Sequence, residues 1–463
     1  MRPTIKKALL AAGAAALAAT LTVAWVYRWY WRDAPARYLP FTRAWLYPSP
    51  VDDARLAGLR DRGRGVVIES SGGFRACERP VEPVAPATGG HGIEARLVVR
   101  AQKAVGVAFR CGSDVPYVAE QNGKILPVID GELGPPLLDL TMKLFRPPSG
   151  TRDWEQGLQA IAFSPDDRYL YVTYTDPEQA TRLSEFELPR EPRGTIDPAD
   201  ERVVLAVAQP HNVHNGGALE FGPDGYLYVG VGDGGLPCGA MNAFGRRLYG
   251  KVLRIDPRAQ PEGSYGIPQD NPFVGAEPAT TPRAETWVWG VRNPWGLFVD
   301  PRDGAMWIAD VGENGWEEIN VVRKADSGVD LGWPIFEGPT GPREPCVWEA
   351  EAADVTTEPK ATRSGPFHEP FHAYRHVPVA EPAARCSVTG GEVYLGSIYP
   401  ELVDTFLFGD LCSGELLAVA TRGGEPIDTG VRIGLLTSIV VDHLGYIWTT
   451  GWDGAVHRLE PTR

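Results

Sequence analysis

The chain has no CxxC pair, no basic tract beyond its N-terminus and few long amphipathic runs, and each absence removes a class of function. Its six cysteines (Cys77, Cys111, Cys238, Cys346, Cys386 and Cys412) lie too far apart in sequence for a zinc cluster of the paired-cysteine kind. With 45 Lys and Arg against 59 Asp and Glu, the net charge is −14, and nucleic acid is excluded as a partner. Without amphipathic stretches of helical period, 53 glycines, 42 prolines and 14 tryptophans favour many short strands joined by turns.

What the N-terminus does have is an apolar run. Arg2, Lys6 and Lys7 precede residues 8–27, which are almost wholly apolar, and Trp29-Tyr30-Trp31 follow Arg28. About 20 such residues can cross a bilayer as a helix, and the positive start places the N-terminus on the cytoplasmic side. Residues 1–32 therefore read as a signal anchor. A cleaved signal peptide is the alternative, with Ala16-Leu17-Ala18 as its small-residue site. Both readings put the body on the periplasmic or extracellular side, where cysteines form disulfides. Cys386 with Cys412 is the expected pair, because the two flank one predicted blade. Residues 33–95, rich in Pro and Arg, read as a juxtamembrane spacer with some local structure.

From residue 96 to 463 a loose repeat emerges. Its units begin at GVAFRCGSDVPYVAEQNGKI (106–125), AIAFSPDDRYLYVTYT (160–175), ALEFGPDGYLYVGVGDGG (218–235), GLFVDPRDGAMWIADVG (296–312), GEVYLGSIYPELVDTFLFGDL (391–411) and SIVVDHLGYIWTTGWDGAVHRLEP (438–461). Each has an apolar strand, a turn, a second apolar strand and a Gly/Asp loop. Several strands per repeat of about 40 residues indicate a β-propeller, here all-β with six blades. A propeller brings one loop from every blade to a central channel. His214, Asp233, Arg292 and Asp310 can therefore converge despite their separation.

The stretch HNVHNGGALEFGPDGYLYVGVGDGG, 211–235, reads as a hairpin whose open ends carry His214 and Asp233. An imidazole beside a carboxylate at a sheet rim suits base chemistry. His211 reads as a surface loop residue. Arg292-Asn293 stand just ahead of the fourth inner strand. That guanidinium would clamp an anion, stack on a ring, or equally serve an inter-blade salt bridge. Trp287, Trp289 and Trp295 read as packing residues. The loop DVGENGWEE, 310–318, is acidic and rich in glycine, a composition suited to calcium though unlike an EF-hand.

HNGGALEFGPDGYLYVGVGDGG, GKVLRIDP, ETWVWGVRNPWGLFVDP, DVGENGWEEINVV, LGWPIFEG and FLFGDLCSGEL resemble the soluble glucose/sorbosone dehydrogenases, which include hedgehog-interacting-protein-like relatives. The resemblance runs in order over roughly residues 96 to 460. It implies a six-bladed propeller that oxidises an aldose or polyol, passing hydride to pyrroloquinoline quinone (PQQ). It also implies calcium polarising the quinone. By position, His214 matches the base, Asp233 its acidic partner, and Arg292 with Asn293 the pair over the cofactor plane. Gly312 and Glu313 match the residues whose carbonyls hold calcium. Glu155, followed by Gln156, stands where the family's sugar site has glutamine. Two departures accompany the match. Leu395 stands where the family has a lysine for the cofactor's carboxylates, and residues 435–437, Leu-Leu-Thr, stand where it has two arginines. Lys324, Arg422 and Arg432 are the candidate substitutes. A non-catalytic propeller binding a sugar, glycan or protein at the same rim is the competing reading. A calcium-dependent lactone hydrolase fits the motifs less well.

Overall fold

A computed structural model describes residues 61–69, 73–74, 92–146, 155–191, 194–235, 247–258, 264–277, 281–339, 367–379, 381 and 384–462. Nearly all fall in one compact unit, 49–377 with 383–463; of the other, 1–48 with 378–382, only Pro378, Val379 and Glu381 are described. The predicted anchor, including residues 8–27, lies outside the described residues. Among the described residues no helix is long and apolar enough to cross a membrane.

The described chain is all-β, and its strands form six blades. Blade 1 begins with Ala104–Phe109, Pro116–Glu120 and Lys124–Ile129. Blade 2 holds Leu158–Phe163, Tyr169–Thr175, Ala180–Glu187 and Arg202–Ala208. Blade 3 holds Leu219–Phe221, Leu227–Val231, Lys251–Ile255 and Thr286–Trp289. Blade 4 holds Pro294–Val299, Met306–Asp310, Trp316–Val322 and His372–Arg375. Blade 5 holds Val388–Val393, Thr405–Asp410, Glu415–Ala420 and Ile427–Arg432. Blade 6 holds Leu436–Val441, Ile447–Gly451 and Ala455–Pro461. Each of the six repeats legible in the sequence falls on one blade.

Closure uses the other end of the chain. Ile93–Arg100 pairs antiparallel with Ala455–Pro461 as the fourth strand of blade 6, leaving the ring no open edge between its first and last strands. The propeller thus starts at Ile93, slightly before the expected residue 96. The stretch read as a spacer also supplies a strand, Arg64–Ile68, parallel to Ser264–Pro268. Nothing in its weak periodicity foretold that pairing.

Alternation makes the blades stack. In the third, Leu219, Leu227 and Val229 join Tyr171 and Val204 of the second in one buried cluster. The turn between its first two strands needs glycine at Gly225, where φ is +74° and a Cβ would lie 1.9 Å from the Phe74 carbonyl oxygen. Cys386 and Cys412 form the expected disulfide, which ties the entry of blade 5 to the turn after its second strand.

Candidate active site

In every blade the first strand starts, and the second ends, at the same rim. His214 precedes the first strand of blade 3 and Asp233 follows its second, so the hairpin places both side chains at its open end. His214 Nδ1 lies 2.8 Å from Asp233 Oδ1. Asp233 is 1% exposed. Burial alone would raise its carboxyl, but the charges of His214 and Arg292 and the Gly235 amide prevail and hold it below the ordinary range. An ionised carboxylate only accepts hydrogen bonds, so Nδ1 is the donor in this pair, and in the neutral imidazole that arrangement leaves the lone pair on Nε2. The second carboxylate oxygen, Oδ2, accepts the indole N–H of buried Trp333 at 2.8 Å.

Arg292 and Asn293 join the same constellation. The Asp233 amide donates to the Arg292 carbonyl at 2.7 Å. Asp310 receives the backbone N–H groups of Arg292 at 2.8 Å and of Asn293 at 2.7 Å. The guanidinium donates to the Val311 carbonyl at 2.9 Å and lies 5.4 Å from the centre of the Trp333 ring. Of the sequence's three readings of Arg292, the contact with a ring is one that the structure shows. Burial and the neighbouring Glu318 charge raise the Asp310 carboxyl well above its ordinary value.

Glu155 reaches the site from the approach to blade 2. Its Oε2 accepts the His214 backbone N–H at 2.5 Å and the Asn293 side-chain N–H at 3.4 Å. Burial raises its carboxyl, an effect that His214 and Arg292 offset only partly. Gln156 is buried beside it. Gln156 Nε2, Asn215 Oδ1 and Asn293 Oδ1 are buried without a hydrogen-bond partner. Orphaned polar atoms of this kind are what a bound polar ligand satisfies.

The loop after Asp310 is turned in an informative way. The backbone N–H groups of Glu313, Asn314 and Gly315 converge on Glu337 Oε1 at 2.8, 3.1 and 3.0 Å. In a trans peptide the carbonyl points opposite to the N–H, so the carbonyls of Gly312, Glu313 and Asn314 face away from that carboxylate. These oxygens could meet a hard cation such as calcium. Gly312 is required, because a Cβ there would lie 1.6 Å from the Trp316 carbonyl oxygen.

His214, Asp233, Arg292, Asn293 and Glu155 are thus linked by direct hydrogen bonds, with Gln156 adjoining them and Gly312 following Val311. His211, read as a surface residue, is instead 6% exposed, and its carbonyl accepts the Asn215 side chain. Two of the candidate substitute cations are engaged elsewhere. Lys324 pairs with Asp270 at 3.1 Å, and Arg432, on the outermost strand of blade 5, pairs with Asp428 at 2.8 Å. The third, Arg422, is exposed on the turn before that strand. Sequence reasoning assigned no role to Trp333 or Glu337. Both lie in LGWPIFEG, and the Gly-Trp-Pro run was their signal.

The sequence profile of the Glucose / Sorbosone dehydrogenase family matches residues 102–443. The aldose sugar dehydrogenase YliI of Escherichia coli is 35% identical over 218 residues, 47% of this chain and 50% of that protein. The HIPL2 protein of Arabidopsis thaliana is 30% identical over 247 residues, 50% of this chain and 33% of that protein. The chain therefore spans between a third and a half of these curated relatives. The PQQ-bound aldose sugar dehydrogenase of Streptomyces coelicolor superposes with a TM-score of 0.55 at 21% identity, covering 81% of this chain and all of that one. This likeness shows the shared fold. With the profile matched over most of its length, the chain belongs to the glucose/sorbosone dehydrogenase family.

Proposed function

We propose that this protein oxidises an aldose or related polyol at the blade 3–blade 4 rim, with His214 as general base. The observation that carries the reading is the His214–Asp233 contact, 2.8 Å long, in which a carboxylate acceptor calls for the proton on Nδ1. A sugar hydroxyl approaching Nε2 would surrender its proton there, and the Asp233 carboxylate would stabilise the resulting imidazolium. Glu155 holds the His214 backbone and Asn293 in place. Arg292, backed by Trp333, would supply positive charge at this rim.

The residues present fit a flat, polar cofactor. Orphaned Asn293 Oδ1 offers an acceptor beside Arg292 in the chain, and Gln156 Nε2, beside Glu155 in the chain, offers a donor. Arg292 and Asn293 would hold PQQ, and the Gly312 and Glu313 carbonyls calcium. When bound, the quinone supplies a hydride acceptor and the metal a Lewis acid that favours acceptance. A periplasmic or extracellular location, anchored through residues 8–27, belongs to the same proposal. It rests on the apolar run and on the Cys386–Cys412 disulfide.

A second reading, a propeller that binds a sugar, glycan or protein without turnover, is favoured by one observation. Leu395 and residues 435–437 supply no cation for a tricarboxylate, and Lys324 and Arg432 are spent in other ion pairs. The deciding experiment titrates the purified protein with PQQ and calcium, following quinone absorbance and dye reduction with a panel of aldoses. Saturable binding and turnover that His214→Ala abolishes would establish the enzyme. Aldose binding without turnover would favour the second reading.

A further inference from the structure

We propose that Glu337 prepares the loop 312–316 for a calcium ion, by gathering its amides on one side and by polarising the carbonyls turned to the other. The inference rests on the dehydrogenase reading, which assigns the Gly312 and Glu313 carbonyls to calcium. It gives a positioning role to a carboxylate that lies outside the loop.

All five amides of this loop end on two carboxylates. Those of Glu313, Asn314, Gly315 and Trp316 donate to one oxygen, Glu337 Oε1, at 2.8, 3.1, 3.0 and 3.3 Å. That of Gly312 donates to Glu317 Oε2 at 3.3 Å. Successive amides around one point form an anion cradle, and here a side chain of the same protein fills it. Each trans peptide carries its carbonyl opposite its N–H, so the outer face of the cradle presents the carbonyls of residues 312–315. The last of these, Gly315, accepts the His376 amide at 3.1 Å. At the other end, Gly312 directly follows Val311, whose carbonyl accepts the Arg292 guanidinium at 2.9 Å. The outward oxygens therefore start one residue beyond the atom that Arg292 grips.

Glu337 is itself held in place. It is 9% exposed. The next amide, that of Gly338, donates to Glu318, two residues past the loop. Gly338 has φ of +71°, and a Cβ there would lie 2.2 Å from the Trp316 ring, so the backbone beside Glu337 is pressed onto the residue that ends the loop. A carboxylate oxygen takes several donors at once, and its charge strengthens each bond. An anion at the N–H end of a peptide also polarises its carbonyl, which makes that oxygen a better ligand for a cation. Glu337 thus fixes the direction of the carbonyls and raises their affinity for a hard metal.

The test measures calcium binding rather than turnover. The full chain, freed of metal by chelation, is titrated calorimetrically with calcium chloride, alone and with saturating PQQ, and no sugar is added. Glu337→Ala and Glu337→Gln are titrated in the same way, and the melting temperature of each is recorded. We expect Glu337→Ala to weaken calcium by about 10–100-fold, the usual cost of losing a group that orients a metal ligand. Glu337→Gln keeps an acceptor oxygen and loses the charge, so its affinity should fall between the two. A purely structural role would lower the melting temperature and leave calcium binding alone. Calcium affinity equal to the wild type's in either folded variant overturns the proposal, and Glu337→Gln decides alone if the alanine variant does not fold. If the wild type binds PQQ but no calcium, this proposal falls and His214 as base stands. Calcium held in a Glu337-dependent way with no quinone bound would keep the role of the loop and remove the dehydrogenase reading.

Discussion

The carboxylate of Glu155 accepts the backbone N–H of His214 at 2.5 Å, across 59 residues of sequence. His214 has φ of 53°, in the left-handed region that costs a residue with a side chain about 1 kcal/mol. The hydrogen bond therefore holds the candidate base in a conformation it would otherwise leave. We predict that Glu155→Ala lowers turnover at least about tenfold and stability by about 1–3 kcal/mol, because it takes the acceptor from a partly buried amide. Glu155→Gln, which keeps an acceptor oxygen, should recover most of both. Steady-state rates and urea unfolding of the two variants check this.

The contact from Trp333 to Asp233 predicts a different pattern. Trp333→Phe removes the N–H that Asp233 Oδ2 accepts and keeps a ring beneath Arg292. With one donor lost, the carboxylate can rotate, and the His214 proton is no longer confined to Nδ1. We expect kcat to fall about tenfold with little change in KM, and nitrogen NMR of His214 to show a mixture of tautomers. Asp233→Asn should be more severe, about a hundredfold or more, since an amide can donate as well as accept. A uniform loss of melting temperature with the tautomer unchanged would mean that Trp333 acts only as packing.

The blades, the hairpin and the convergence of His214 with Asp233 were legible because they follow from period-two patterning and turn chemistry, which are local. Arg292 and Asn293 were legible through their place before a first strand. The Glu155 contact to the His214 main chain was not, since a side chain's choice between ligand and backbone depends on loop geometry. Trp333 was hidden for a related reason: its partner lies 100 residues away, on another loop. The strand Arg64–Ile68 was missed because it is isolated in sequence from the repeat it joins and only partly buried.

The disulfide offers a prediction about stability. Cys386 and Cys412 close a loop with a sequence separation of 26, spanning the first two strands of blade 5. Replacing both by serine should cost about 2–4 kcal/mol and shift the urea midpoint without changing the cofactor titration. Reduction of the wild type under native conditions should approach the same midpoint.

Asp410, adjoining that disulfide, predicts how stability responds to pH. Burial and the neighbouring Glu317 charge push its carboxyl up from 3.8 to about 6. Four backbone N–H groups and the Tyr374 hydroxyl donate to it, and they only partly offset the loss of solvent. Between pH 3.8 and about 6 the folded protein keeps a proton on Asp410 that the unfolded chain has released. Folding is therefore favoured at the acid end of this window, and the advantage is lost as pH rises through it. The shift corresponds to roughly 3 kcal/mol as an order of magnitude. Asp410→Asn has no charge to bury, so its intrinsic stability at this site does not vary with pH. The difference in unfolding free energy between wild type and Asp410→Asn, measured in urea, should move in the variant's favour by about that amount from pH 4 to pH 7. A difference that stays constant across the range would show that the buried carboxylate is as well solvated by its donors as it is by water.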